Sequence, residues 1–145
     1  MRLKSFLSII ILLILPVVIC SGCSGKTVKT VKVTGKITID GNPIEQGSIK
    51  FMDVNGEGAV GGGSISNGTY VANVPVGKKK TLVLGTKLAG KEHLIADVPD
   101  SSLVDKFEVI TPPEYNSFET TPLEAEIKTE TNNLDFNLSS NFGNK

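Results

Sequence analysis

The 145-residue chain has no tryptophan, two tyrosines, one histidine and two cysteines, and both cysteines lie within its first 23 residues. With His93 as the lone histidine, in an irregular segment, no Ser-His-Asp set is credible, and a metal site built from several histidines is excluded. The scarcity of aromatic rings leaves few platforms on which a ligand would stack. No long stretch has helical periodicity, whereas glycine and β-branched residues are common. We therefore expect a single all-β domain.

Residues 1–22 have the character of a signal peptide. Arg2 and Lys4 precede a nearly unbroken apolar run over residues 6–19. The run is shorter than the ~20 residues that a membrane-spanning helix needs, and small residues follow it. An N-terminal membrane anchor that is not removed is the alternative interpretation.

Cys20-Ser21-Gly22-Cys23 resembles a bacterial lipobox, in which an aliphatic and two small residues precede an acylated cysteine. Ser21 and Gly22 fit this pattern, while Cys20 stands where leucine is usual. The resemblance implies cleavage before Cys23 and acylation of that residue, with several acyl chains holding the protein in the membrane. Ordinary cleavage would instead leave Cys23 as an unpaired thiol. By the same resemblance, Ser24 favours the outer membrane of the bacterial envelope.

Charge is distributed unevenly after the signal segment. Residues 24–91 contain ten lysines against four acidic residues, and residues 92–145 contain three lysines against eleven acidic residues. A small net negative charge without a basic-aromatic stripe argues against nucleic acid as a partner. The two halves either present a basic face to an anionic membrane or polymer, or interleave as strands that neutralise each other. We expect the second arrangement, because a sandwich brings distant segments together.

Alternating apolar and polar residues predict seven or eight short strands between residues 31 and 140. In the first strand Val33 and Ile37 share a face, and Gly35 indicates a bulge or close packing. Asn67-Gly68 lies between two alternating segments and predicts a tight hairpin turn, because both residues tolerate positive φ. These strands and turns predict an antiparallel two-sheet sandwich. The remaining strands are expected over residues 47–52, 70–76, 81–84, 107–110, 123–127 and 134–138.

Three segments lack a strand pattern. Residues 53–63 are rich in glycine, which indicates mobility or an approach too close for side chains. Residues 85–105 are the least regular part, predicted to be a long excursion with a short helical turn over residues 101–106. Residues 111–122 are bounded by prolines and are predicted to form a loop around Tyr115.

Two features of the chain, which together cover three stretches, resemble known proteins. Residues 33–51 and 68–84 resemble the carboxypeptidase regulatory-like domain, which has a transthyretin-like sandwich fold. Residues 112–138 look like the C-terminal part of small bacterial surface lipoproteins with that fold. The resemblance implies a fold and an anchoring mode but no particular activity, because this fold hosts many roles. The positions that match in order are Gly35, Gly41, Pro43, Gly47, Gly68, Tyr70, Val74, Pro75 and Gly77.

The candidate ligand contacts are an aromatic residue in a loop and a basic cluster. Tyr115, beside Asn116, is the ring predicted to be exposed, whereas Tyr70 has inward parity. Three consecutive lysines follow a predicted turn and are either solvated or in contact with lipid headgroups or an anionic envelope polymer. They are Lys78, Lys79 and Lys80.

Asp53, Asn55 and Glu57 place oxygen ligands at alternate positions, as at the opening of a calcium loop. The twelfth position of such a loop needs a bidentate glutamate and is occupied here by Ser64. A plain polar loop is therefore the favoured interpretation, and neither a metal nor a cofactor is expected.

Together these patterns predict a signal peptide over residues 1–22, a lipidated Cys23 with a tether to residue 30, a sandwich over residues 31–140 and a tail over residues 141–145. We expect a non-enzymatic envelope protein, structural or ligand-binding, with carbohydrate suggested by analogy of fold. A protein–protein adaptor of a surface complex, contacting its partner through an edge strand or the excursion, is the alternative. An enzyme of unrecognised type is a third interpretation.

Overall fold

In a computed structural model, which describes residues 28–96, 98–130 and 132–142, the chain forms a curled, mainly antiparallel sheet. The predicted all-β class is confirmed. No helix within those ranges is long and apolar enough to cross a membrane. The elements are β1 (Thr30–Ile39), β2 (Asn42–Pro43), β3 (Gln46–Asp53), β4 (Gly61–Ser66), β5 (Thr69–Pro75), β6 (Gly77–His93), β7 (Leu103–Val109), a 3-10 turn (Pro113–Asn116), β8 (Glu124–Ile127), β9 (Asn132–Asn133) and β10 (Phe136–Leu138).

The main path through the sheet runs β10-β1-β5-β4-β3-β6-β7, and β1 changes partner along its length. Its first part pairs antiparallel with β5, from Thr30 opposite Pro75 to Lys36 opposite Thr69. Its last part pairs parallel with β10, and β9 also runs parallel to β1. The expectation of a purely antiparallel arrangement is therefore wrong at this edge. Alternation of apolar residues marks a strand but does not encode its direction relative to a distant neighbour.

The core lies inside the curl of the sheet. Three aromatic rings meet at its centre, with ring centroids 6.2 Å apart for Phe51 and Tyr70 and 6.3 Å from each of these rings to Phe136. Val33 and Ile37 of β1 are fully buried around them, as the alternation in β1 predicts. Burial of this apolar surface is the main stabilising contribution for a chain of this size.

The predicted hairpin at Asn67-Gly68 is present between β4 and β5. Asn67 and Gly68 have φ of 48° and 72°, and Ser66 pairs with Thr69 across the turn. Two successive positive φ angles are the signature of a type I′ turn, whose twist matches that of the flanking strands. The Gly68 amide also donates to the carbonyl oxygen of Ile44, 2.8 Å away. This hydrogen bond connects the turn to the segment between β2 and β3.

Gly35 is a site of close packing, as predicted. A Cβ at this position would clash with the backbone carbonyl of Leu134 and lie 3.1 Å from the Tyr70 ring. The Tyr70 hydroxyl donates to the same carbonyl at 2.8 Å. Burial raises the pKa of Tyr70 well above its ordinary value, and the charge of Asp135 raises it further. Tyr70 is thus a neutral core residue at pH 7.

Two predicted boundaries are wrong by a few residues. Residues 61–63 belong to β4 and not to a loop. A Cβ on any of these glycines would clash with the backbone of a neighbouring strand, so glycine is what allows the strands to pack this closely. Of the two interpretations of the glycine-rich segment, mobility or close approach of the backbone, the close approach is therefore present at residues 61–63. Val76 does not continue the buried face of β5, which ends at the buried Pro75, and Val76 is 39% exposed.

The predicted excursion over residues 85–105 is a regular hairpin. β6 continues to His93, and β7 returns along it from Leu103, with a bulge between Leu88 and Gly90. The helical turn expected over residues 101–106 is therefore wrong. Residues on both faces of this hairpin are exposed, so it has no single buried face and its sequence lacks the strict alternation that reveals a half-buried strand.

Candidate functional site

The three consecutive lysines do not form a basic patch. Lys79 points inward and is 2% exposed, with its Nζ 2.9 Å from Asp53 Oδ2. Lys80 donates to the carbonyl oxygen of Phe118 at 2.9 Å and lies 4.8 Å from the centre of the Phe118 ring. Lys78 alone is exposed. The three residues lie within β6, so Lys79 points to the face opposite Lys78 and Lys80, and the three side chains do not form one cluster.

The Asp53 carboxylate serves this ion pair. The hydrogen bond from Lys79 lowers the pKa of Asp53, so the carboxylate is charged at neutral pH. A cation at this point would have to compete with a buried ammonium group. Asn55 and Glu57 lie in the exposed loop that follows, and no cluster of three His, Cys, Asp or Glu residues suited to a metal occurs in the described ranges.

The prediction that Tyr115 is exposed is wrong. The 3-10 turn at Pro113–Asn116 directs the ring into the core, and Tyr115 is 3% exposed. Its hydroxyl oxygen accepts a hydrogen bond from the amide of Ser139 at 3.1 Å, and its ring centroid lies 5.1 Å from that of Phe142. Tyr115 therefore packs the loop against the end of β10. Asn116 is exposed.

The feature that stands out is a projecting arm, which we define as residues 86–109. It comprises the distal part of β6, all of β7 and the turn between them, and none of its described residues is buried. Among the described residues, twelve large apolar side chains are exposed, and seven of them belong to the arm. They are Leu88, Leu94, Ile95, Val98, Leu103, Phe107 and Val109.

One face of the arm has a cluster of apolar residues near its base. Leu88 is directly opposite Phe107, and Val109 lies on the same face two residues further along β7. Leu88, Phe107 and Val109 are 55%, 46% and 56% exposed. Exposed apolar side chains scattered singly are ordinary, but a cluster on a projecting element is typical of a contact surface.

The opposite face has charged pairs that join the two strands. Lys87 Nζ lies 3.2 Å from Glu108 Oε2, and Lys106 Nζ lies 3.2 Å from Glu92 Oε2. A third pair, between Lys91 and Asp105 at 3.9 Å, lies on the apolar face. The Lys87–Glu108 and Lys91–Asp105 pairs join the basic first half of the chain to the acidic second half, so the two halves interleave as expected, whereas Lys106 and Glu92 both belong to the second half. All six side chains are at least half exposed, so each pair stabilises the arm only weakly.

An open groove of about 560 Å³ lies at the base of the arm. Phe107 and Leu84 supply apolar surface, and most of the remaining lining is polar or glycine. The polar side chains are Gln46, Ser48, Ser66 and Thr86.

The sequence did not single out Phe107 as a candidate contact residue, because Phe107 was assigned to a short separate strand. A signal was present in the charges. Lys87 and Glu92 on one side of the excursion are matched by Lys106 and Glu108 on the other, a pattern that favours cross-strand pairing. Cys23, the predicted lipidation site, lies outside the described residues, and its acylation stays a prediction.

Comparison with known proteins assigns no family to this chain. No family model and no curated protein matches it. A crystal structure of a 9R-lipoxygenase from Cyanothece PCC8801 is similar at 12% identity and a TM-score of 0.38, covering 76% of this chain and 16% of that chain. This chain thus spans about a sixth of the length of that enzyme. Similarity at this level gives no basis for transferring a fold family or an activity, so function is argued from this chain's own residues.

Proposed function

We propose that the chain is a non-enzymatic, lipid-anchored protein of the bacterial envelope whose arm binds another protein. The exposure of seven large apolar side chains on one projecting element is the observation that carries this proposal. It favours the adaptor interpretation over the binding platform expected at Tyr115, because that ring is buried. The lipobox-like Cys20-Ser21-Gly22-Cys23 supports the anchor.

The arrangement of the strands supports a contact role for the arm. Thr30, where β1 begins, pairs with Pro75, and β6 starts two residues later at Gly77. β6 then runs 17 residues to His93, which corresponds to about 50 Å of strand. The anchored end of the domain and the tip of the arm therefore lie at opposite ends of β6. A tether from Cys23 to Thr30 reaches at most about 25 Å. An anchored domain would in this way present its arm to partners away from its attachment point.

The same proposal includes the finer features of the fold and location. The change of partner along β1, from β5 to β10, supports two packed layers of a transthyretin-like sandwich related to the carboxypeptidase regulatory-like domain. Ser24 supports the outer membrane as the anchoring site.

Lipid anchoring is tested by comparing two cysteine substitutions in the full chain. Cys23→Ser should abolish labelling with a radioactive fatty acid and remove the protein from the membrane fraction. Cys20→Leu is the matched control, because it removes the other thiol while placing the usual lipobox residue at that position, and it should leave both readouts unchanged. Labelling that survives Cys23→Ser would show that the lipidation site is wrong.

A second candidate function is favoured by the groove. Phe107 lies beside four small or medium polar side chains, a combination that suits the ring face and hydroxyl groups of a sugar. Envelope polysaccharide is therefore the alternative ligand. A rise in melting temperature with polysaccharide fragments, lost in Gln46→Ala, would favour this role over protein binding.

A further inference from the structure

β7 is an open edge of the sheet. It is the last strand of the path and pairs only with β6 among the described strands. The Ile110 amide donates to Gly85 O, and the Leu94 amide donates to Ser102 O, so even-numbered residues direct their backbone groups toward β6. Because these directions alternate along a strand, the odd-numbered residues from Leu103 to Val109 direct unpaired amides and carbonyls outward.

This edge has little protection against pairing with another strand. In natural proteins, edge strands are prevented from pairing with strands of other molecules by proline, by bulges, by short length or by unpaired charges. β7 has seven residues and no proline, and the bulge of the arm lies in β6. Its central Lys106 is already paired with Glu92. β10, the other end of the path, has only three residues.

We propose that a second copy of this chain pairs with β7 as an antiparallel strand, with the twofold axis at Phe107. The inference rests on the proposed function, in which the arm binds protein, and it names the partner. In this register Phe107 meets Phe107 of the other copy, Lys106 meets Glu108, and Asp105 meets Val109. Backbone groups of odd-numbered residues face each other, as hydrogen-bonded pairs of an antiparallel ladder require.

The charges of β7 select this register. Pairing of odd-numbered with odd-numbered residues allows twofold axes at positions 104 to 108, of which the axis at Val104 joins only residues 103–105 and forms no pair of opposite charges. Three of these axes place like charges directly opposite each other, at Asp105, Lys106 or Glu108. The axis at Phe107 has no like-charge pair and forms two Lys106–Glu108 pairs. Self-complementarity of this kind is what a twofold interface requires.

Both faces of the arm become continuous across the proposed axis. On the charged face, the Lys87–Glu108 pair of one copy lies beside the Lys106–Glu92 pair of the other copy. The four side chains then form one row of alternating charge across four strands. On the apolar face, Leu88 and Phe107 of one copy continue into Phe107 and Leu88 of the other. A ladder of this length is a small interface, so we expect the association of two free copies to be weak. Anchoring of both copies in one membrane raises their effective concentration and strengthens the association.

Charge exchange tests the pairing. Two differently tagged full-length copies are co-expressed, solubilised in detergent and captured through one tag. Lys106→Glu alone or Glu108→Lys alone should reduce self-capture roughly tenfold, because each places two like-charge pairs across the axis. Mixing Lys106→Glu in one copy with Glu108→Lys in the other should restore capture, because every facing pair is again opposite in sign. Lys91→Glu is the control, since it breaks a pair within one arm but lies on β6.

A cysteine scan tests the register. Facing residues of a hydrogen-bonded pair have Cα atoms about 5.5 Å apart, within reach of a disulfide. Phe107→Cys should therefore form a covalent dimer on mild oxidation in membranes. Asp105→Cys should not form a covalent dimer, because position 105 of the other copy lies four residues, about 13 Å, further along the strand. The parent chain, oxidised in the same way, shows how much covalent dimer forms through Cys20 or Cys23.

Each outcome bears on the inference. Equal crosslinking at positions 105 and 107, or failure of the mixed charge variants to restore capture, would overturn the proposed pairing. Absence of self-capture by the parent chain would also overturn it. In that case, membrane fractionation that still depends on Cys23, together with a different protein crosslinked to the arm, would leave the proposed function standing.

Discussion

Lys79 is held inside the sheet by one carboxylate. Its ammonium group is 2.9 Å from Asp53, and its side chain is 3% exposed while that of Asp53 is 34% exposed. Burial without a counter-charge is costly for an ammonium group, so Asp53 matters more for stability than its position at a loop suggests. The pairing also fixes the register of β3 against β6, where Asp53 is opposite Lys79.

Asp53→Asn should lower the melting temperature at neutral pH, because Lys79 then lacks its partner. The folded-state pKa of Asp53 lies below its ordinary value of 3.8, owing chiefly to the hydrogen bond from Lys79. The contribution of the charged carboxylate is therefore complete above that ordinary value and is lost as pH falls through the folded-state pKa. Thermal melts at several pH values should show the difference from the parent chain shrinking at acid pH.

Asp105→Asn is the matched control for this experiment. Asp105 and its partner Lys91 are 3.9 Å apart and both mostly exposed, so its removal should change the melting temperature little at any pH. A deficit in Asp53→Asn that persisted undiminished at strongly acid pH would show that the carboxylate acts through packing and not through its charge.

At the scale of the element, the arm is separable from the core. None of its described residues is buried, and its three ion pairs are exposed. An isolated two-stranded hairpin is marginally stable in water, so continuity with the long strand β6 is what keeps the arm extended. Such an element contributes little to folding and is free to serve binding.

Removing the arm should therefore separate binding from stability. Replacement of residues 88–107 by Asn-Gly, which closes a tight turn between Lys87 and Glu108, should change the free energy of unfolding by about 1 kcal/mol or less. Capture of a second copy should be lost. Replacement of residues 95–101 by the same dipeptide is the control, because it closes the turn on Leu94 and Ser102, which are already hydrogen-bonded, and so removes the tip and keeps β7. Loss of folding in the larger deletion would show that the arm belongs to the folding unit.

At the scale of the whole molecule, Thr30, where β1 begins, and the tip of the arm lie at opposite ends of β6. The start of the strand is next to Pro75, which pairs with Thr30, and its far end is the tip of the arm. In an anchored protein, this arrangement places the start of β6 nearer to the lipid than the tip. Pairing of two arms would then join neighbouring anchored copies.

Fluorescence quenching in liposomes tests that orientation. Val76 and Leu94 are 39% and 64% exposed, so each can be replaced by cysteine and labelled. With the lipidated chain in vesicles containing a headgroup quencher, a label at position 76 should be quenched and one at position 94 should not. Addition of detergent should remove the difference. Stronger quenching at position 94 would instead place the arm on the membrane surface.

Much of the fold could be predicted from local patterns. The strand around Val33 and Ile37, the turn at Asn67-Gly68 and the close approach at Gly35 follow from alternation, positive φ and the missing side chain of glycine. The candidate site could not be predicted in this way. A hairpin exposed on both faces has no alternation of burial, so its residues resemble a loop.

The sequence by itself determined the all-β class, the hairpin turn and the inward face of β1, because these depend on residues within a few positions of each other. Only the tertiary structure decided that Lys79 is buried against Asp53, that Tyr115 packs in the core, that β10 runs parallel to β1 and that β7 forms an open edge. Each of these depends on which distant strand becomes a neighbour. Pairing between strands far apart in the chain is set by the packing of the whole core and not by local propensity.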